Sequence, residues 1–174
     1  MRHRLFACLT LSAALLAVPA AYADFLAPSF ESLTIEGVAP PDWIAGPRDG
    51  GFIGMCTTCA GGTMLLEVKV HDDDGTGERV RSGETTAERY TEIGKANAQQ
   101  MGGESDYFGT KRIDFSSAVG FKTRARTATG DFSATYQLWS DGKQLLIRVY
   151  GKDQSMVDNV AEKAYSAAAP QTFR

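Results

Sequence analysis

The chain has 174 residues, with 18 Lys and Arg against 21 Asp and Glu, for a formal charge of −3. That length fits a single domain with a sizeable core, and the mild acidity argues against a nucleic-acid partner. No apolar run reaches the ~18 residues of a spanning helix, which argues against stable membrane insertion.

The N-terminus carries a basic patch, Arg2-His3-Arg4, then an apolar run from Leu5 to Val18, then Ala21-Tyr22-Ala23 before Asp24. Basic, apolar and A-x-A regions in that order are a secretory signal peptide. The expectation is cleavage after residue 23, with residues 24–174 forming one domain. The first cysteine, Cys8, is lost with the leader. The remaining 151 residues carry a formal charge of −5, because Arg2 and Arg4 are also removed. Export plus a cysteine pair points to an oxidising compartment, the periplasm or the outside of the cell.

Phe30 to Ile35 alternates apolar and polar residues and predicts a short strand. Pro40-Pro41-Asp42-Trp43 breaks regular structure. Gly46-Pro47-Arg48-Asp49-Gly50-Gly51 reads as a turn-rich loop, with Trp43 plugging the edge of the core.

Cys56-Thr57-Thr58-Cys59 has three readings. As a structural disulfide it closes a very small loop. As a redox site it needs a helix N-terminus to stabilise a thiolate, yet Ala60-Gly61-Gly62 and a strand follow. As a soft-metal site it supplies Met55, Cys56 and Cys59, with Met64 or His71 further on, all ligand types suited to Cu(I). A zinc site lacks two further ligands.

Met64, Leu66, Val68 and Val70 face one side of a strand, and Leu65, Glu67 and Lys69 the other. The stretch His71 to Glu78 is an acidic turn that fails the EF-hand spacing, leaving at most a calcium site of another type. Thr85-Thr86-Ala87-Glu88 is a capping box that opens a helix over 86–101. Its apolar face is Tyr90, Ile93, Asn97 and Met101, flanked by Ala87, Gly94 and Ala98. Gly102-Gly103 stops it.

The second half predicts antiparallel strands. Lys111 to Phe115 and Val119 to Thr127 are joined by a turn near Ser116-Ser117. Lys122, Arg124 and Arg126 share one face of the second strand. They form either an anion- or partner-binding stripe or a solvated face that discourages edge pairing. Phe132 to Leu138 and Gln144 to Tyr150 flank Asp141-Gly142, a type I′ hairpin signal. In the return strand Leu146, Arg148 and Tyr150 share a face. Ser155 to Asp158 caps a last helix with an apolar stripe through Val157, Val160, Ala161, Ala164, Tyr165 and Ala168, ended by Pro170.

This order gives an α+β architecture, an antiparallel sheet of about six strands with a central and a C-terminal helix packed on it. The layout resembles the PsbP family, which embraces photosystem extrinsic proteins and many small bacterial secreted proteins. The resemblance rests on Pro41-Asp42-Trp43 in an early turn, the central helix, the hairpin at Trp139-Ser140-Asp141-Gly142 and a closing helix that ends near Phe173. It covers most of the mature chain, but as layout, and carries over neither a functional residue nor the cysteine pair. It implies an accessory, binding or assembly module.

Enzyme signatures are thin. His71 is the sole histidine after cleavage, and there is no G-x-S-x-G and no Gly-rich phosphate loop. The leading expectation is therefore a non-catalytic periplasmic accessory or binding protein, of inhibitor or immunity type, with a protein partner in the cell envelope and no cofactor. The alternatives are a copper-handling protein and a thiol–disulfide oxidoreductase.

Overall fold

A computed structural model describes residues 37–59, 61–100 and 105–173. The expected leader, Cys8, the strand over 30–35 and Met101 lie outside the described residues. Among the described residues seven strands form one sheet: β1 (Ile44–Arg48), β2 (Gly51–Cys56), β3 (Met64–Asp72), β4 (Ser105–Phe115), β5 (Ala118–Thr127), β6 (Phe132–Ser140) and β7 (Lys143–Gly151). Their spatial order is β1-β2-β3-β7-β6-β5-β4, and every neighbouring pair is antiparallel. Among the described residues three helices accompany them: α1 (Thr76–Arg81), α2 (Ala87–Gln100) and α3 (Gln154–Thr172). The architecture is α+β, as the sequence predicts.

The tight turns follow their residues. Asp141 and Gly142 adopt φ of 51° and 72°, the left-handed pair that a type I′ hairpin between β6 and β7 requires. The β4–β5 turn places Ser116 at φ 53°.

Period-two alternation sorts the sheet's two faces. The first face carries Phe52, Met64, Leu66, Val68, Tyr136, Leu138, Leu145, Ile147 and Val149, all at most 2% exposed. α3 packs on this face through Val157, Ala161, Ala164 and Ala168. Three alanines in that stripe let the helix axis approach the strands closely. Trp43 closes one edge of this core, as expected.

The second face is covered over one half only. There Val80 of α1 and Tyr90 of α2 meet Val119, Phe121 and Trp139.

Several local expectations are corrected. Among the described residues the sheet has seven strands: five of the six that the sequence predicts, the one over 30–35 lying outside the described residues, and β1 and β2, which form where the sequence predicts no strand. Pro47 is tolerated because β1 is an edge strand. The acidic turn after His71 instead launches α1. Asp73 accepts from the Gly77 amide at 3.1 Å and Asp74 from the Thr76 amide at 3.0 Å, so these carboxylates satisfy free donors at a helix start. The start of α2 is capped by Thr86, whose Oγ1 accepts from the Arg89 amide at 3.2 Å. Its inner face is Ala87, Tyr90, Thr91 and Gly94, while Ile93 is 42% exposed. α3 is capped by Asp153, which accepts from the Met156 amide at 3.0 Å, and it runs through Pro170 to Thr172.

Candidate functional site

The cysteines sit where β2 ends. Cys56 pairs with Met64 across the β2–β3 ladder, and its sulfur bonds Cys59, with Cα atoms 5.7 Å apart. The Gly62 amide donates to the Cys59 carbonyl at 3.0 Å, and Gly61 and Gly62 take φ of 92° and 108°. Glycine is what permits the chain to turn there and enter β3 directly.

The candidate soft-metal ligands fall in different places. Met55 points to the face opposite Cys56, and His71 lies seven residues along β3 from Met64, roughly 23 Å away at strand rise. Among the described residues no group of three or more His, Cys, Asp or Glu is placed to hold a metal ion.

Beside the disulfide runs a groove of about 820 Å³. The segment from Val38 to Trp43 and the sulfur-bearing Cys59 form one wall, and Met156, Val160 and Lys163 of α3 the other. The Trp43 amide donates to the Pro40 carbonyl at 3.1 Å, which holds the proline turn in place.

The basic stripe of β5 faces α3. Lys122 donates to Glu162 at 2.9 Å and lies over the Tyr136 ring, while Arg124 donates to Asp158 at 2.8 Å. Tyr136 also donates to Glu162 and stacks on Tyr165 with centroids 4.6 Å apart. Hydrogen bonds from Tyr136 and Lys122, helped by the charges of Lys122 and Arg124, hold the Glu162 carboxyl below its usual range against the cost of burial. Burial, then the Glu162 hydrogen bond and charge, push the Tyr136 hydroxyl far up. Arg126 stays exposed with its guanidinium 5.3 Å from the Phe132 ring centre.

The remaining surface of note is the second face of the sheet. Over β4–β6 it is roofed by α1 and α2. Tyr90 stacks on Phe121 at 4.7 Å and donates to Gln137, and burial pushes its hydroxyl up to about 12. The roof ends near β7, where Leu146 is buried and the charge of Arg148 acts on Tyr90 of α2, while β1, β2 and β3 present this face without helical cover among the described residues.

The register aligns the side chains there into rows. Ile44 pairs with Met55, Met55 with Leu65, and Leu65 with Tyr150. Ile44 is 70% and Leu65 36% exposed, and Met55 and Tyr150 are half-buried. Two residues along the strands, Ile53, Glu67 and Arg148 form the next row, and Arg48, Gly51 and Lys69 the one beyond. Lys69 lies 2.6 Å from Glu67, and Arg148 3.9 Å from it. Burial raises the Glu67 pKa, but the hydrogen bond and charge of Lys69, with Arg148 and Arg48 behind, outweigh that and hold it low. The four groups leave this face cationic within an acidic chain.

No protein-family model matches the chain. No curated protein sequence matches it either. Solved structures do match. One is the solution structure of cyanobacterial PsbP (CyanoP) from Synechocystis sp. PCC 6803, with a TM-score of 0.55 and 12% identity, covering 74% of this chain and 82% of that one. At that identity the likeness concerns fold, and it agrees with the layout read from Trp43, the central helix and the Asp141-Gly142 hairpin: this chain has a PsbP-like fold.

Proposed function

We propose that this chain is a non-catalytic accessory protein, exported to the periplasm or beyond, that docks a protein partner on the uncovered half of its sheet. The observation that carries this reading is the row Ile44–Met55–Leu65–Tyr150, an apolar strip running over four strands beside a charged row. A sheet face is normally buried by a second layer. Here half the face has that layer, and the other half offers exposed apolar side chains on a rigid platform, which is what an interface core needs. The PsbP-like fold supports an accessory role, and the Cys56–Cys59 disulfide fits an oxidising compartment. Lys122 and Arg124 serve α3 in this reading, and Arg126, exposed on their face of β5, lies on the opposite side of the sheet from the docking row.

A photo-crosslinking residue placed at Leu65 in producing cells tests this. The expected result is a discrete protein adduct from that site and none from exposed Glu84, in the turn after α1. Equal labelling from both sites, or none from Leu65, would remove the reading.

The groove beside Cys59 favours a second reading, a carrier of an apolar ligand. Its volume of about 820 Å³ lies in the range of small-molecule sites. Native mass spectrometry of exported protein would reveal a bound small molecule that Val160→Trp displaces. Identical masses for protein and variant, apart from the substitution, would dismiss it.

A further inference from the structure

Resting on the docking reading above, we infer that the occupant of the uncovered half-sheet is an acidic amphipathic helix of the partner.

Three observations specify it. The neighbouring part of the same face is already covered by α1 and α2, so the half without helical cover among the described residues lies beside an existing helical layer. The apolar row advances one strand at a time, about 4.8 Å per step, close to the 5.4 Å rise of one helical turn. A helix laid along that row sets residues i, i+4, i+7 and i+11 successively over Ile44, Met55, Leu65 and Tyr150. The next two rows lie roughly 7 and 13 Å to one side. They offer Arg148, Lys69 and Arg48 against the single carboxylate of Glu67, which Lys69 engages at 2.6 Å.

The helix therefore needs Asp or Glu along that flank. A basic flank would meet three cations. Because the whole chain carries a formal charge of −3, the cationic face is a local feature and not the protein's general field. The charge pattern sets which helices are accepted, and the apolar row supplies the adhesion.

The test uses the mature chain and two stapled helical peptides with the same leucine stripe. One carries Glu along a flank, the other Lys at the same positions. Fluorescence anisotropy gives affinity, and amide NMR maps the site. The acidic peptide is expected to bind, to shift the amides of Leu65, Glu67, Arg148 and Tyr150, and to weaken several-fold at high salt. Arg148→Glu should cost it about tenfold and bring the Lys peptide to the same face. Because Arg148 is half-exposed, thermal melting will confirm that the variant stays folded.

Equal binding of both peptides, shifts confined to the groove beside Cys59, or no change with Arg148→Glu would overturn the inference. So would binding to phosphatidylglycerol vesicles in place of the peptide, or a dimer in sedimentation velocity that buries Leu65. A crosslink from Leu65 without acidic-peptide binding leaves the docking reading standing and removes this one. Peptide binding without the crosslink removes the docking reading and this inference with it.

Discussion

Arg124 of β5 donates its Nε to Asp158 of α3 at 2.8 Å, two residues along the strand from the Lys122–Glu162 contact at 2.9 Å. Strand and helix are thus joined by a ladder of two ion pairs with the Tyr136 hydroxyl shared into the second. The basic row of β5, which the sequence leaves open between a binding stripe and a solvated face, mainly orients α3 over the sheet.

That ladder sets an acid dependence. The folded-state pKa of Glu162 is depressed below 4.5, so its contribution to stability is present above the unfolded value and is lost as pH falls through the folded one. Glu162→Gln should lower the melting temperature at pH 7. The difference from wild type should shrink steadily below about pH 4.5. Melting curves across pH 3 to 7 measure it, and a difference that stays constant or grows in acid would mean that Glu162 is not held by these partners.

Ala164 is fully buried between α3 and the sheet, whereas Val160, one turn earlier, only partly enters the core and forms a wall of the groove. An aspartate at 164 would place an unpaired charge in a dry interface, a loss of about 3 kcal/mol or more. Val160→Asp can turn its charge toward the groove mouth and should cost less, about 1 to 2 kcal/mol. Urea unfolding of both variants checks the order. Equal losses would show that the two positions share one environment.

What the sequence makes legible depends on what each segment offers to the pattern. β3, β6 and β7 alternate over nine residues, and the face shared by Leu146, Arg148 and Tyr150 is evident from that alternation alone. β1 and β2 are hidden because Gly46, Pro47, Gly51 and Gly54 occupy positions where an apolar side chain would mark a strand. Gly54 faces the core with Trp43 Cε3 only 3.4 Å from where its Cβ would stand, so the tryptophan supplies the missing bulk. Without β1 and β2 the row from Ile44 to Tyr150 cannot be assembled, and the uncovered face stays invisible. Register across strands is non-local, while turn residues speak only locally. Asp73 and Asp74 mislead for a related reason: a carboxylate that caps a helix and one that is merely solvated look alike in sequence.

Gly77 gives α1 its seat. A Cβ there would stand 2.6 Å from Trp139 Cβ and 2.7 Å from Asp73 Oδ2. Both neighbours are held, Trp139 by Phe121 and Tyr90, and Asp73 by the Gly77 amide. Gly77→Ala should therefore lift α1 from the sheet and cost about 1 to 3 kcal/mol. Gly83→Ala, where nothing lies within 4 Å but φ is +83°, tests strain without crowding and should cost about 1 kcal/mol. Near-ultraviolet circular dichroism, which reports on Trp139, should change for Gly77→Ala and stay the same for Gly83→Ala. The opposite pattern would place the tight contact elsewhere.

The disulfide spans a sequence separation of three, so cross-linking restrains little of the unfolded chain. Replacing both Cys56 and Cys59 by serine should lower stability by about 2 kcal/mol, the low end for disulfides, and leave the fold intact. The reason for expecting persistence is local. Cys56 is held by the β2–β3 ladder opposite Met64 whether or not its sulfur is bonded, and Gly62 still donates to the carbonyl of residue 59. The loss should appear chiefly as movement of the Cys59 wall, so amide exchange should quicken over residues 57–62 and not in β3 or β7. Two results would contradict a structural role. One is full alkylation of both thiols in native exported protein. The other is stoichiometric Cu(I) bound by wild type and lost in the serine variant, since Met55 and His71 are too far apart to complete the set, and that metal would require a rearranged loop.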